Sequence, residues 1–136
     1  MSHAGLKVAL GLGCDRGTPL ATIAQAVAQA LAAAGLSPDQ VARAASISLK
    51  ADEAGLLALA AARGWPLSFY RPDELAAVPV PNPSETVRRH TGTPSVSEAA
   101  ALLAARADMG SLLVEKHRLR GPDGRNATVS IALISE

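Results

Sequence analysis

Cys14, Arg16, Lys50, Glu53, Glu98 and Lys116 are the side chains best suited to chemistry in this sequence, and the first two share one short stretch, GLGCDRGTPLATI, residues 11–23. A thiol just ahead of a helix and beside a guanidinium can have its pKa lowered and act as a nucleophile. A catalytic thiol also needs a base, and nothing in the linear order places His3, His90 or His117 beside it, so a buried structural cysteine is the expected role. Glycines 11, 13 and 17 give G-x-G-x-x-x-G, one residue longer than the dinucleotide fingerprint. The acid that should follow about 20 residues on, at the end of the second strand, is missing, and Lys50 stands after that strand instead. The turn therefore reads as an anion site, in which the N–H groups of residues 13–17, the following helix N-terminus and Arg16 favour a carboxylate or phosphate. The plain alternative is that the glycines only let the chain turn sharply.

Further along, Lys50 and Glu53 in KADEAGL lie where a parallel sheet binds its ligands, although a surface lysine and a helix-terminal acid would look the same. Ser95 and Glu98 have the spacing of a capping box. Arg88, Arg89 and His90 form one basic run, and Lys116, His117, Arg118, Arg120 and Arg125 another. Such runs are ordinarily solvated faces, but arginine supplies ten of the thirteen basic residues, and its planar fork suits carboxylates. No H-x-x-x-H, H-E-x-x-H or Cys/His cluster is present, so neither a metal nor a cofactor is expected.

The elements that must position these groups follow from periodicity. Residues 6–12 form a β-prone run; Thr18 is expected to cap a helix with Pro19 in its first position, and apolar positions recur at helical spacing until Gly35. Residues 43–49 suggest a second strand, Asp52 and Glu53 open a helix that ends at Gly64, and residues 67–71 suggest a third strand followed by a short helix in PDELAAV. Prolines 79, 81 and 83 favour an extended crossing, Ser84 caps a short helix through SETVRRH, and VSEAAALLAARA is helical. SLLVEK and ATVSIALIS are strong strands joined by HRLRGPDGRN, too short a connection for a crossover helix, so they should pair antiparallel. The sum is a three-layer α/β/α fold around a mixed, mainly parallel sheet of about five strands, in one domain spanning residues 1–136.

Composition narrows the function. At 49% apolar and 18% charged residues the chain is globular, and its longest Ala/Leu-rich run is broken by Gln25 and Gln29 before the roughly 18–20 residues that a membrane span requires. A net charge of +1 and only Trp65, Phe69 and Tyr70 as aromatics argue against nucleic acid. No cleavable leader is evident in MSHAGLKVAL, which gives a cytoplasmic expectation, and one cysteine excludes an internal disulfide.

The blocks GLGCDRGT, SLKADEAGL, TGTPSVSEAAALLAA, LLVEK and TVSIALI, in this order over about Lys7 to Ile134, resemble the CobE proteins and the C-terminal domain of CbiG, of the corrin-ring pathway to vitamin B12. Gly11, Gly13, Cys14, Arg16, Gly17, Lys50, Glu53, Ser95, Glu98 and Lys116 match that pattern, whereas Asp15 stands where basic residues are commoner. The resemblance implies a cytoplasmic protein of cobalamin biosynthesis in the stand-alone CobE form. It further implies a polycarboxylate tetrapyrrole ligand (a precorrin or a hydrogenobyrinic acid-like compound) held at the C-terminal edge of the sheet, with the turn around Gly11, Gly13, Cys14, Arg16 and Gly17, and with Lys50, Glu53, Ser95 and Lys116, as ligand contacts. CbiG opens a lactone on the ring and releases a two-carbon fragment. Two alternatives stay open: such a catalyst, with Glu53, Glu98 or Cys14 as the reacting group, or a scaffold that docks onto other enzymes of the pathway.

Overall fold

A computed structural model describes residues 5–80 and 96–134. In chain order these form β1 (Val8–Cys14), α1 (Leu20–Ala33), β2 (Val41–Ile47), α2 (Ala54–Arg63), β3 (Leu67–Tyr70), α3 (Pro72–Ala76), α4 (Val96–Ala105), β4 (Leu112–Arg120) and β5 (Asn126–Leu133). The sheet order is β3-β2-β1-β5-β4, with β1–β2 and β2–β3 parallel and β1–β5 and β5–β4 antiparallel. Four strands thus point one way and only β5 runs against them, as the alternation of strand and helix patterns followed by a final hairpin required.

Strand alternation divides β1 between two layers. Val8, Leu10 and Leu12 pack with Ile23, Val27 and Leu31 of α1 and Leu56 and Leu59 of α2, while Ala9 faces Ala101, Leu102 and Ala105 of α4 and Leu75 of α3. Gly11 also lies on the α4 face: a Cβ there would come within 1.7 Å of the Ser97 carbonyl oxygen and 2.6 Å of the Ala101 nitrogen. The backbone of α4 is therefore seated directly on the backbone of β1, a distance that no side chain permits.

Several boundaries differ from expectation for local reasons. Pro19, not Thr18, is the N-cap of α1; the Thr18 hydroxyl donates to the Asp15 carbonyl oxygen at 2.7 Å, and no side chain caps the helix. The other end conforms: Gly35 at φ 71° closes α1, with its N–H on the Ala32 carbonyl and the Leu36 N–H on the Leu31 carbonyl. The second strand starts at Val41 and ends at Ile47, after which residues 48–50 wind into a 3-10 turn. In the hairpin, β4 continues to Arg120, so the connection shrinks to residues 121–125, closed by the Gly121 N–H on the Arg125 carbonyl at 2.8 Å. A run of basic side chains reads as a loop in sequence but pairs normally on an edge strand, where their charges face water. The capped helix expected through residues 84–90 and the Ser95 cap lie outside the described residues.

Substituting Gly11 by Ala should cost about 3 kcal/mol or more, because backbone on both sides must move. Gly35→Ala, where nothing lies within 4 Å of the added Cβ, should cost only about 1 kcal/mol, for its left-handed φ. Urea unfolding midpoints compare the two; equal losses would remove the close-packing account of Gly11.

Candidate functional site

The C-terminal ends of β1, β2 and β3 lie on one edge of the sheet, and the β4–β5 hairpin turns at that same edge. The glycine turn after β1 is anchored there. The Asp15 carboxylate accepts the Asn126 N–H at 2.7 Å and the Asn126 side-chain amide at 3.1 Å, and Arg125 Nε donates to the Arg16 carbonyl oxygen at 3.0 Å. Asp15, the residue that departs from the resembling pattern, thus ties the turn to β5.

The groups expected to receive an outside anion already hold one. Gly17 donates its N–H to Glu53 Oε1 at 3.0 Å, and Arg16 Nη1 stands 2.7 Å from Glu53 Oε2. That second contact is an ion pair without hydrogen-bond alignment, since Arg16 Nη1 aims its hydrogen bond at Asp52 Oδ1, 2.7 Å away, while Nη2 donates to the Leu49 carbonyl at 2.9 Å. Glu53 is 3% exposed and Arg16 59%. Hydrogen bonding from Arg16 also holds the exposed Asp52 carboxyl below the usual carboxylate range. Glu53 does precede α2, yet its carboxylate reaches across to the β1 turn instead of capping its own helix. The carboxylate in this anion site is the chain's own.

Cys14 faces the α1 layer, half-buried. Its thiol is pushed up to about 11, chiefly by burial; Glu53 and Asp15 add to the rise, while Lys50 and hydrogen bonding with Thr18 oppose it. The depressed pKa that a helix N-terminus and Arg16 might have given does not arise, because Arg16 is spent on Asp52 and Glu53 and burial outweighs the rest. The thiol is protonated at neutral pH.

Register assembles a different constellation on the opposite, α4-side face. Gly13 pairs with Thr128, and Thr128 pairs with Arg118, so the three form one row across β1, β5 and β4. Residues directly opposite on neighbouring strands share a face. A Cβ on Gly13 would meet the Thr128 side chain and no other described atom within 4 Å, which makes Gly13 and Thr128 a floor of small groups with Arg118 at its β4 end. One row inward, Gly11 pairs with Ser130, whose hydroxyl donates to the Glu115 carbonyl at 2.6 Å and lies 2.9 Å from Ser97 Oγ.

Opposite Ser130 the edge strand β4 carries an irregularity. Val114 pairs with Ile131 and His117 with Val129, so Glu115 and Lys116 together oppose a single residue. A bulge of this kind reverses the alternation that follows it. Lys116 consequently reaches the α4 face, where its Nζ is 3.6 Å from Glu98 Oε1; the lysine side chain is 21% exposed and the glutamate 0%. On the other flank Lys50 ends the turn after β2, half-buried, and makes no hydrogen bond or ion pair among the described residues. From β2 to β4 is three strand spacings, roughly 14 Å.

The structure therefore brings Gly13, Glu98 and Lys116 to one face, while Lys50 stands at the same strand-end edge within electrostatic reach of Cys14 and Asp52. It places Gly11 beneath α4, Cys14 on the other face, and Arg16, Gly17 and Glu53 in an internal ion pair. Ser95 lies outside the described residues, as do Arg88, Arg89 and His90. Sequence reasoning named Arg118 only as part of a basic run and passed over Thr128. The signal for Arg118 was its spacing of two from Lys116, which on a strand gives a shared face.

Fold and site together define a class: a three-layer α/β module with cations spaced along the strand-end edge around a glycine and threonine floor. Residues 8–132 match the model of the family described as Cobalamin synthesis G C-terminus. The chain belongs to that family, and its role lies in cobalamin biosynthesis. It is 39% identical over 127 residues to the cobalt-precorrin-5A hydrolase of Priestia megaterium, covering 93% of this chain but 32% of that protein. It is 39% identical over 106 residues to Protein CobE of a Sinorhizobium species, covering 76% of this chain and 69% of that one. The crystal structure of CobE, a protein from the cobalamin (vitamin B12) biosynthetic pathway, superposes with a TM-score of 0.74 at 30% identity, over 96% of this chain and 92% of that one. The chain thus spans about a third of the hydrolase and most of CobE.

Two outcomes follow from the geometry. Alkylation of Cys14 by iodoacetamide should be slow at pH 7–8 and accelerate as the pH climbs toward about 11, since only the thiolate reacts; rapid labelling at pH 7 would contradict the buried neutral thiol. Arg16→Ala should lower stability, because it removes the ion-pair partner of a buried carboxylate. An unchanged urea midpoint would show that Glu53 does not depend on this partner.

Proposed function

We propose that this protein binds a polycarboxylate corrin-ring intermediate on the α4-side face of the strand-end edge, in the cytoplasm. The observation that carries this reading is the row Gly13–Thr128–Arg118, with Lys50 in the turn after β2 at the same strand-end edge. A flat macrocycle needs a floor without projecting side chains, and acidic groups on its rim need cations at separated points. Lys50 and Arg118 supply those cations some three strands apart. Neither is engaged in a hydrogen bond or ion pair among the described residues, so each can take a ligand carboxylate without first giving up an internal partner.

Binding is favoured over bond-making by the state of the candidate reacting groups. The Cys14 thiol is neutral and on the opposite face, Glu53 is committed to Arg16 and Gly17, and Glu98 is wholly buried beside Lys116. The name hydrolase belongs to a relative of which this chain spans 32%. Holding an unstable intermediate between enzymes requires only the cations and the floor.

Titrating the protein with hydrogenobyrinic acid while following the visible spectrum of the corrinoid tests the reading. Saturable binding at micromolar concentration is expected, weakened about tenfold by Lys50→Met and by Arg118→Met, each of which removes one charge-assisted contact. Arg16→Ala should leave the affinity within about twofold, by the same reckoning. No spectral change at micromolar protein, or a loss confined to Arg16→Ala, would overturn it.

A further inference from the structure

Lys116 differs from Lys50 and Arg118, the other two cations of the site at this edge. The Glu98 carboxylate, wholly buried in the first turn of α4, stands 3.6 Å from its ammonium group, too far for a hydrogen bond and close enough to cancel its charge. The ammonium group therefore keeps all three N–H donors without an acceptor among the described residues, while its field toward the site is largely neutralised. Its side chain is 21% exposed, so those donors are not sealed from solvent. An ion pair of this burial is costly, and an apolar pair of similar volume would hold α4 to β4 at least as well. The bulge at Glu115 and Lys116 is a second departure from regular structure, and among the side chains it redirects, it turns Lys116 to the α4 face.

We propose that Lys116 and Glu98 form a specificity-determining subsite for an uncharged carbonyl oxygen of the ligand, such as an amide or ester, and that Glu98 sets this preference by neutralising Lys116. A donor without net charge hydrogen-bonds a neutral acceptor as well as an anion, and it gives a carboxylate no Coulombic advantage. Lys50 and Arg118 select for acid; Lys116 reads a position on the ring that is not ionised. This rests on the proposed corrinoid binding and goes beyond it by dividing the cations of the site into two kinds.

Salt dependence separates the alternatives, because each net charge on the protein that meets a ligand carboxylate steepens the fall of affinity with ionic strength. The full chain, Glu98→Gln, and the charge-balanced double variant Glu98→Gln with Lys116→Met are titrated with hydrogenobyrinic acid at several salt concentrations, with circular dichroism confirming the fold of each. Glu98→Gln exposes the lysine charge and should raise the affinity for the polyacid on the order of tenfold at low salt, with a steeper salt dependence. The double variant, neutral like the native pair, should keep the native salt dependence, and because it carries no unpaired buried charge it serves even if the single variant folds poorly. A double variant with a shallower salt dependence than the native protein, or a folded Glu98→Gln with unchanged or weaker polyacid binding, would show that Lys116 acts as an ordinary cation or that Glu98 is only structural. Loss of binding in the native protein overturns the corrinoid reading and the subsite together; native binding weakened by Lys50→Met but without the Glu98→Gln gain overturns the subsite alone.

Discussion

The seating of α4 on the bare backbone of β1 at Gly11 is the contact on which the rest of the structure depends. Because nothing separates the two backbones, the first turn of the helix is brought down to the sheet, with Ser97 against Ser130 and Glu98 sunk to full burial beside β4. The helix then ends its cover at the Gly11 row and leaves the Gly13 row beyond its first turn. A side chain at position 11 would lift α4, separate Glu98 from Lys116 and alter the depth of the floor. One hydrogen atom in place of a methyl group fixes the helix, the ion pair and the site.

The two faces of the strand-end edge divide the labour. On the α1 and α2 side, charge is used to hold loops together: Arg16, Asp52, Glu53 and the Gly17 N–H close the β1 and β2 turns onto each other, and Asp15 and Arg125 fasten the hairpin to them. On the α4 side, Lys116 is compensated by the buried Glu98, while Arg118 makes no hydrogen bond or ion pair among the described residues. Acidic solution should loosen the first network before the core, since Asp52, whose carboxyl is held below its ordinary value, contributes stability above that value that is lost as the pH falls through the depressed one.

Much of the fold was legible because it rests on local signals. The apolar spacing of Leu20, Ile23, Val27 and Leu31, the stops at Gly35 and Gly64, and the final pair of β-rich runs each specify an element without reference to the others. The site was legible in its residue types and much less in their grouping. Lys50, Glu98 and Lys116 were recognisable, but the glycine turn looked like their anion-binding companion until Glu53 was seen to fill it from 36 residues away. Nor could periodicity place Lys116, since a bulge two residues after Val114 inverts the alternation that would have put its side chain on the α1 face. Arg118 and Thr128 became visible only through pairing across two strands, which no local pattern encodes.

A crystal structure of this chain with a bound polycarboxylate corrinoid tests the central claim most directly. The ring is expected over Gly13 and Thr128, with rim carboxylates against Lys50 and Arg118 and with Arg16 still paired with Glu53. A ring seated at the glycine turn, with its carboxylate on Arg16 and Glu53 displaced from the Gly17 N–H, would contradict it.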